Sequence, residues 1–263
     1  MIHFIVATNF EARPLIDFFK LKKKIHIEEF QIFNNEEISL TVSGIGKIFS
    51  ALAVAHTYFQ FGKKKNQIWI NFGLAGHKNL KIGKLVLVNK IIDSNSNFTF
   101  FPFFHKKFNF EKKNCTTYDR PDTNYNDSLS DMEASGFFGA ASKHSTTEFI
   151  HSFKIISDNQ NESINFRDEK KIYRIISKQM KNINSLVKEV NLLKKKYFSE
   201  IPHIDQEISK IFEKVNFTFS EKEQFKKIFR LHLLENPKLE SNLIDFSCDA
   251  KTNIKKLRQY LKI

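Results

Sequence analysis

Three apolar stretches of this chain each lead to a carboxylate, and that recurrence limits the folds open to it. Residues 2–8 run into Glu11, and Asp131-Met132-Glu133 stands before a row of small residues and aromatics. Residues 149–156 end at Ser157-Asp158. Each stretch has the length of a strand and is too short for a core helix. The expectation is a buried sheet whose strand ends carry the chemistry.

Other stretches fit the same sheet. Residues 68–76 are continuously apolar and finish in Gly73-Leu74-Ala75-Gly76, as expected of a strand buried on both faces whose end lines a pocket. Residues 82–92 read as another strand. Ile38, Leu40 and Val42 alternate with polar residues over 37–43, and 25–33 reads as their partner. Residues 98–104 and 112–117 are further strand candidates, and 119–122 with the polar run after it reads as a loop.

Helices fall between these strands. One starts at Glu11, with Pro14 in its first turn, where a missing N–H costs little. One follows Ser43-Gly44-Ile45-Gly46-Lys47 and spans 47–61, and a short one reaches about residue 143. A single long helix is expected over 168–196, because Ile172, Ile175, Ile176, Ile183, Leu186 and Val190 recur three or four apart. Two or three more helices follow, one opened by a capping box at Ser220-Glu221-Lys222-Glu223. Strands alternating with helices predict an α/β layer fold. All eight glycines lie between Gly44 and Gly139, so the sharp turns belong to the first half. The expected organisation is an α/β domain over 1–196 and a basic helical extension over 197–263.

Composition narrows the function classes. At 263 residues and 41% hydrophobic content the chain can bury a full core. Its net charge is +13, and residues 164–263 hold 22 Lys/Arg against 13 Asp/Glu. A solvated lysine surface is the favoured reading over nucleic-acid binding, since no nucleic-acid motif is present; a nucleic-acid contact would have to come from the basic tail. Cys115 and Cys248 have no disulfide or metal spacing, and the nine histidines show none either. No metal and no cofactor are expected. No run approaches the ~18 apolar residues of a membrane span, and residues 1–14 have no signal-peptide pattern. A soluble cytoplasmic protein is expected.

Taken alone, each acid has a plainer reading. Glu11 suits a helix first turn, where the dipole favours a carboxylate, and Asp158 suits a helix N-cap or a turn. Gly44-Ile45-Gly46 reads first as a tight turn and lacks Walker spacing. Glu133 is harder to place at the surface, because its neighbours are small and apolar.

Taken together and in order, the motifs resemble the nucleoside phosphorylase/nucleosidase superfamily, and most of all the methylthioadenosine/S-adenosylhomocysteine nucleosidases. The resemblance runs over about residues 2–195. It rests on Glu11 after the first strand, Ser43-Gly44-Ile45-Gly46-Lys47, Asn71-Phe72-Gly73-Leu74-Ala75-Gly76, Ile82-Gly83, Asp131-Met132-Glu133-Ala134 and Ser157-Asp158.

The resemblance implies a three-layer α/β/α fold with a central twisted mixed sheet, and cleavage of a purine N-glycosidic bond. Asp158 would give the departing purine its proton at N7. Glu11 would deprotonate a water on the opposite face of the sugar, a division of labour parallel to that of inverting glycosidases. Glu133 would hold the ribose hydroxyls, Met132 would pack beneath the ribose, and Ala75, Gly76, Ile45 and Ser157 would complete the substrate site. A small 5′ group is preferred, as in methylthioadenosine or 5′-deoxyadenosine, and a homodimer is expected. Phosphorolysis stays open through Arg13, Lys47 and Arg120, although the usual phosphate loop is missing. A nucleoside-binding protein without turnover is the other alternative. The family's Ser-Gly-Asp-x-Phe is absent, and Thr116-Thr117-Tyr118-Asp119 stands nearest to it.

Overall fold

β1 (Ile2–Val6) is buried at every position. It pairs in parallel with β4 (Ile38–Val42) on one side and with β5 (Ile68–Gly76) on the other. Between β1 and β4 the chain forms α1 (Asn9–Phe19), and between β4 and β5 it forms α2 (Lys47–Gln60). Crossovers between parallel strands are right-handed. Because these two run in opposite directions along the sheet, α1 and α2 cover opposite faces. A crevice opens where such crossovers diverge, beyond the strands' carboxyl ends. The computed structural model describes residues 1–64, 67–102, 110–235 and 244–261.

β5 also begins a closed ring. β10 (Ile150–Asp158) runs parallel to it and antiparallel to β6 (Leu85–Asp93). β6 is parallel to β8 (Lys112–Thr117), and β8 is parallel to β9 (Leu129–Asp131). β9 returns to β5 through the antiparallel pair Gly76 and Ser130. β2 (Lys22–Lys23) and β3 (Gln31–Asn34) extend the far edge, and β7 (Thr99–Phe100) pairs with β6. The result is a ten-stranded mixed sheet between two helical layers. α3 (Ala134–Ala141) packs on α2, and α4 (Glu169–Ser177) packs on α1.

The apolar runs predict these strands because every one of them is interior. Ile68 to Phe72, Leu85 to Val88 and Ile150 to Ile156 are all buried. The pattern misleads in a few places. The strand expected at 25–33 shrinks to β3, because Ile25 faces solvent at 81% exposure and residues 25–30 form turns and bends. Asn35 then closes the β3–β4 turn by accepting from the Glu37 and Ile38 N–H groups. Pro14 lies in the second turn of α1, since Thr8 is the N-cap and Glu11 the third helical residue. Part of the run at 98–104, residues 103–104, lies outside the described residues.

The helix expected over 168–196 is two helices. α4 ends at Ser177 and α5 (Met180–Lys214) follows. The break falls at Gln179, whose side chain donates to the Gly83 carbonyl at 2.8 Å. α5 then continues past residue 196. Contacts divide the chain into Met1–Val190 and Asn191–Ile263. The second unit continues with α6 (Phe219–Glu235) and α7 (Ala250–Leu261), and its core includes Ile208, Phe225, Phe229, Ile254 and Leu257. The capping box of α6 is Thr218 with Glu221, two residues before the expected one. The Thr218 N–H and hydroxyl both donate to the Glu221 carboxylate.

Candidate active site

The carboxyl half of β5 is the floor on which the acids assemble. Glu11 reaches it from the first turn of α1. Its Oε2 accepts from the Thr8 N–H at 2.9 Å and from the Thr8 hydroxyl at 2.6 Å. Its Oε1 accepts from the Leu74 N–H at 2.8 Å. One carboxylate thus caps α1 and ties the helix to β5. Glu11 is buried.

Glu133 follows the end of β9 and meets the Gly44–Gly46 turn. Gly44 and Gly46 have φ of 87° and 107°, a backbone that side chains disfavour. The turn aims the Gly46 N–H at Glu133 Oε1, 2.9 Å away. The turn is clamped in place, because the Lys47 ammonium lies 3.0 Å from Asp93 Oδ2 and 2.7 Å from Asp119 Oδ1. Asp93 Oδ2 in turn accepts from the Ser135 hydroxyl at 2.8 Å. One network therefore joins Gly46, Lys47, Asp93 and Ser135 around Glu133.

A lysine lies under these acids. Lys154, in the middle of β10, is fully buried, and its ammonium is 2.7 Å from Asp131 Oδ2. A Cβ at Gly73 would meet Glu11 Oε1 at 3.0 Å and Lys154 Nζ at 3.7 Å, so the ammonium also stands beside Glu11. Burial alone would lower the lysine's pKa, but the Asp131 and Glu133 carboxylates hold it above its ordinary value. Asp131 is lowered: Lys154, the Thr117 hydroxyl and the Ala134 N–H outweigh burial. Glu133 is pushed up to about 7 by burial, with the charges of Asp131 and Glu11 adding to it and Lys154 opposing. Glu11, Asp131 and Glu133 outnumber the lysine, and an enclosed site with surplus negative charge favours a cation.

Asp158 completes the group at the far end of β5. A bulge shifts the register after Ile156, so that Asp158 stands opposite Gly76. Bulges re-aim side chains in this way. A Cβ at Gly76 would lie 2.6 Å from Asp158 Oδ2, so the carboxylate overlies the glycine. The Ser157 hydroxyl donates to Asp158 Oδ1. From Gly73 to Gly76 a strand advances about 10 Å, which sets the spacing along β5 between the Glu11 and Asp158 contacts.

No family model matches the sequence, and no curated protein matches it. Solved structures do. An Arabidopsis thaliana 5′-methylthioadenosine nucleosidase is similar with a TM-score of 0.61 at 17% identity, over 72% of this chain and 95% of that one. A Helicobacter pylori 5′-methylthioadenosine/S-adenosylhomocysteine nucleosidase gives 0.57 at 18% identity, over 72% and 97%. Futalosine hydrolase from the same bacterium gives the same values. This chain shares the fold of these nucleosidase and hydrolase structures.

Within that fold the expected residues are distributed unevenly. Glu11, Glu133 and Asp158 gather at β5. Ala75 is buried in the strand and pairs with Ile156. Met132 is half-buried between the two acids of its motif. Ile45 is 57% exposed on the loop that holds Glu133. His77 is buried, and its Nδ1 accepts from the Asn79 and Leu80 N–H groups as a turn cap.

Thr116 to Asp119 serve the frame. The Thr117 hydroxyl donates to Asp131, the Tyr118 N–H donates to the Asp131 carbonyl, and Asp119 holds Lys47. Arg13 is exposed and paired with Asp17, and Arg120 is exposed. Among the described residues no group of His, Cys, Asp and Glu could hold a metal ion, and no helix is long and apolar enough to cross a membrane. Lys154 was legible as a signal, since a lysine inside an otherwise apolar strand needs a buried partner.

Proposed function

We propose that the chain is a purine nucleosidase that hydrolyses the N-glycosidic bond of a 5′-modified adenosine, of the methylthioadenosine, S-adenosylhomocysteine or 5′-deoxyadenosine type. The observation that carries this reading is that Glu11 and Asp158 both meet the carboxyl half of β5, at Leu74 and Gly76, with the buried Lys154–Asp131 pair beside Gly73. Water attacks C1′ of the ribose and Glu11 takes its proton. The C1′–N9 bond breaks, and its electron pair passes to the purine, which Asp158 protonates at N7. The sugar carries positive charge as the bond breaks, and the surplus of carboxylates lowers the energy of that state. Glu133 accepts from the ribose hydroxyls, with Met132 beneath the ring and Ala75, Gly76 and Ser157 near the base.

Water is favoured over phosphate as the nucleophile. Arg13 is bound to Asp17 and Lys47 to Asp93 and Asp119, which leaves exposed Arg120 as the third cation of the phosphorylase reading. A phosphate pocket needs cations whose charge is not already spoken for. The test is adenine release from methylthioadenosine, adenosine and 5′-deoxyadenosine, with and without phosphate. Release without phosphate is expected. A requirement for phosphate would make the chain a phosphorylase, and no release at all would leave it a binding protein. Glu11→Gln and Asp158→Asn should each lose activity while retaining ligand binding.

A homodimer is part of this reading. Ile45, Ile48, Phe49, Leu52 and Phe59 fall along one side of α2 and its leading turn, and all are exposed. A second copy would cover that stripe. Light scattering should give twice the chain mass, and Leu52→Lys should halve it. The free thiols Cys115 and Cys248 suit a reducing cytoplasm.

A further inference from the structure

A cavity of about 1050 Å³ opens between α1, α4 and β3. Successive helix positions turn by about 100°, so Phe10, Arg13 and Asp17, which line it, share one face of α1, and Glu11 projects from roughly the opposite face. Rings and cations stand together in its walls. Phe10 and Tyr173, 37% and 40% exposed, line it from the two helices, and half-buried Phe33 lines it from β3. Asp17 ties the helices together, accepting from Arg13 Nε at 3.2 Å and from the Tyr173 hydroxyl at 3.3 Å. Lys170, Arg174 and Lys178 line the α4 side four residues apart, and so form one stripe. All three are exposed, and among the described residues no carboxylate pairs with any of them. Like charges at this spacing repel one another, and an anion in the cavity would relieve that repulsion.

We propose that this cavity is a second ligand site, for an anion of nucleotide size that carries an aromatic ring. The volume is that of a small-molecule site, and a lone phosphate would leave most of it empty. The ring of the ligand lies against Phe10, Phe33 and Tyr173, whose faces take a planar partner. Its anionic group meets the stripe on α4, where the Arg174 guanidinium can hold phosphate or carboxylate through two N–H groups at once. With Arg13, the lining holds four cations against two acids, Asp17 and Glu169. None of Glu11, Glu133 and Asp158 lines the cavity, so binding here is independent of the chemistry at β5.

Uridine 5′-monophosphate is the probe, since it has a ring and a phosphate but no purine. Calorimetry on the full chain should show it binding, with uridine and inorganic phosphate each about tenfold weaker or more. Its affinity should fall as salt rises. Lys170→Gln combined with Arg174→Gln should weaken it about tenfold, and Tyr173→Ala about fivefold. Thermal melts of the double variant should stay at or above wild type, because repulsion along the stripe is relieved. Asp158→Asn should leave the affinity for uridine monophosphate unchanged. Absence of binding at millimolar concentration, or equal affinity in wild type and the α4 variants, overturns the proposal. So does a loss of affinity in Asp158→Asn, which would move the ligand to β5. Oligouridylate binding about a hundredfold more tightly than the monophosphate, with a steep salt dependence, would make this face a nucleic-acid surface and overturn it as well.

Discussion

The Lys154 ammonium stands 2.7 Å from the Asp131 carboxylate, and both side chains are closed off from water. Asp131 is further held by the Thr117 hydroxyl at 2.8 Å and the Ala134 N–H at 2.9 Å. Removing one member of such a pair leaves a buried charge uncompensated, which costs about 3–5 kcal/mol. Lys154→Met should lose that much stability in urea unfolding. Lys154→Met combined with Asp131→Asn should recover part of it. A loss below about 1 kcal/mol would show that the cluster relaxes without its cation.

Glu133, raised to about 7, makes stability and activity respond to pH in opposite directions. The folded chain binds this proton more tightly than the unfolded chain does. Stability contributed by the protonated form is therefore greatest below the ordinary glutamate range and is lost as pH rises towards about 7. The ribose clamp proposed for Glu133 needs the ionised form, so kcat/KM should rise as pH passes through about 7. Paired urea midpoints and rate profiles check this. Because Lys154 opposes the shift, Lys154→Met should move the rise in kcat/KM to higher pH, and a profile unchanged in that variant would separate Glu133 from the limb.

Gly136 and Gly139 should respond differently to the same substitution. A Cβ at Gly136 would lie 2.0 Å from the Lys47 carbonyl oxygen, so α3 and the start of α2 meet backbone to backbone. A Cβ at Gly139 would touch Phe100 Cζ at an ordinary 3.6 Å. Gly136→Ala should force the helices apart and cost several kcal/mol, in the range of severe overpacking. Gly139→Ala should be neutral or gain up to about 1 kcal/mol from helix propensity. Thermal melts of the two variants decide it.

In the proposed reading, the clamp on the Gly44–Gly46 turn acts on binding more than on bond breaking. Asp93→Asn weakens the hold on Lys47 and alters the bond from Ser135, and the Gly46 N–H is then less well aimed at Glu133. The expected outcome is a KM raised about tenfold with a smaller fall in kcat, the signature of lost uniform binding. Steady-state kinetics with methylthioadenosine separate the two effects. A fall in kcat alone would place the clamp in the chemical step instead.

The layers of the fold were legible because apolar runs and glycines report burial and tight turns directly. Residues 68–76 and 112–117 read as strands from their pattern and match β5 and β8. Glu11, Glu133 and Asp158 were legible as strand-end acids, but their distances were not. Those distances depend on a register shift after Ile156 and on a turn that brings Gly46 to Glu133, pairings across many tens of residues with no local signature. Gly139 shows the converse: a glycine beside a genuine close approach looks identical in sequence to the one that needs it. The break at Gln179 was hidden because the apolar spacing continues unbroken across it.

The ring of β5, β10, β6, β8 and β9 also sets when the site comes into being. Glu11 is ready early, since its partners Thr8 and Leu74 lie in the first strands and their helix. The far end cannot form until Gly76 has met both Ser130 and Asp158. Pairings between such distant residues form slowly, because loop-closure entropy is lost before any contact compensates. The Glu11 half of the site therefore needs the chain only as far as Leu74, whereas the far half needs it as far as Asp158.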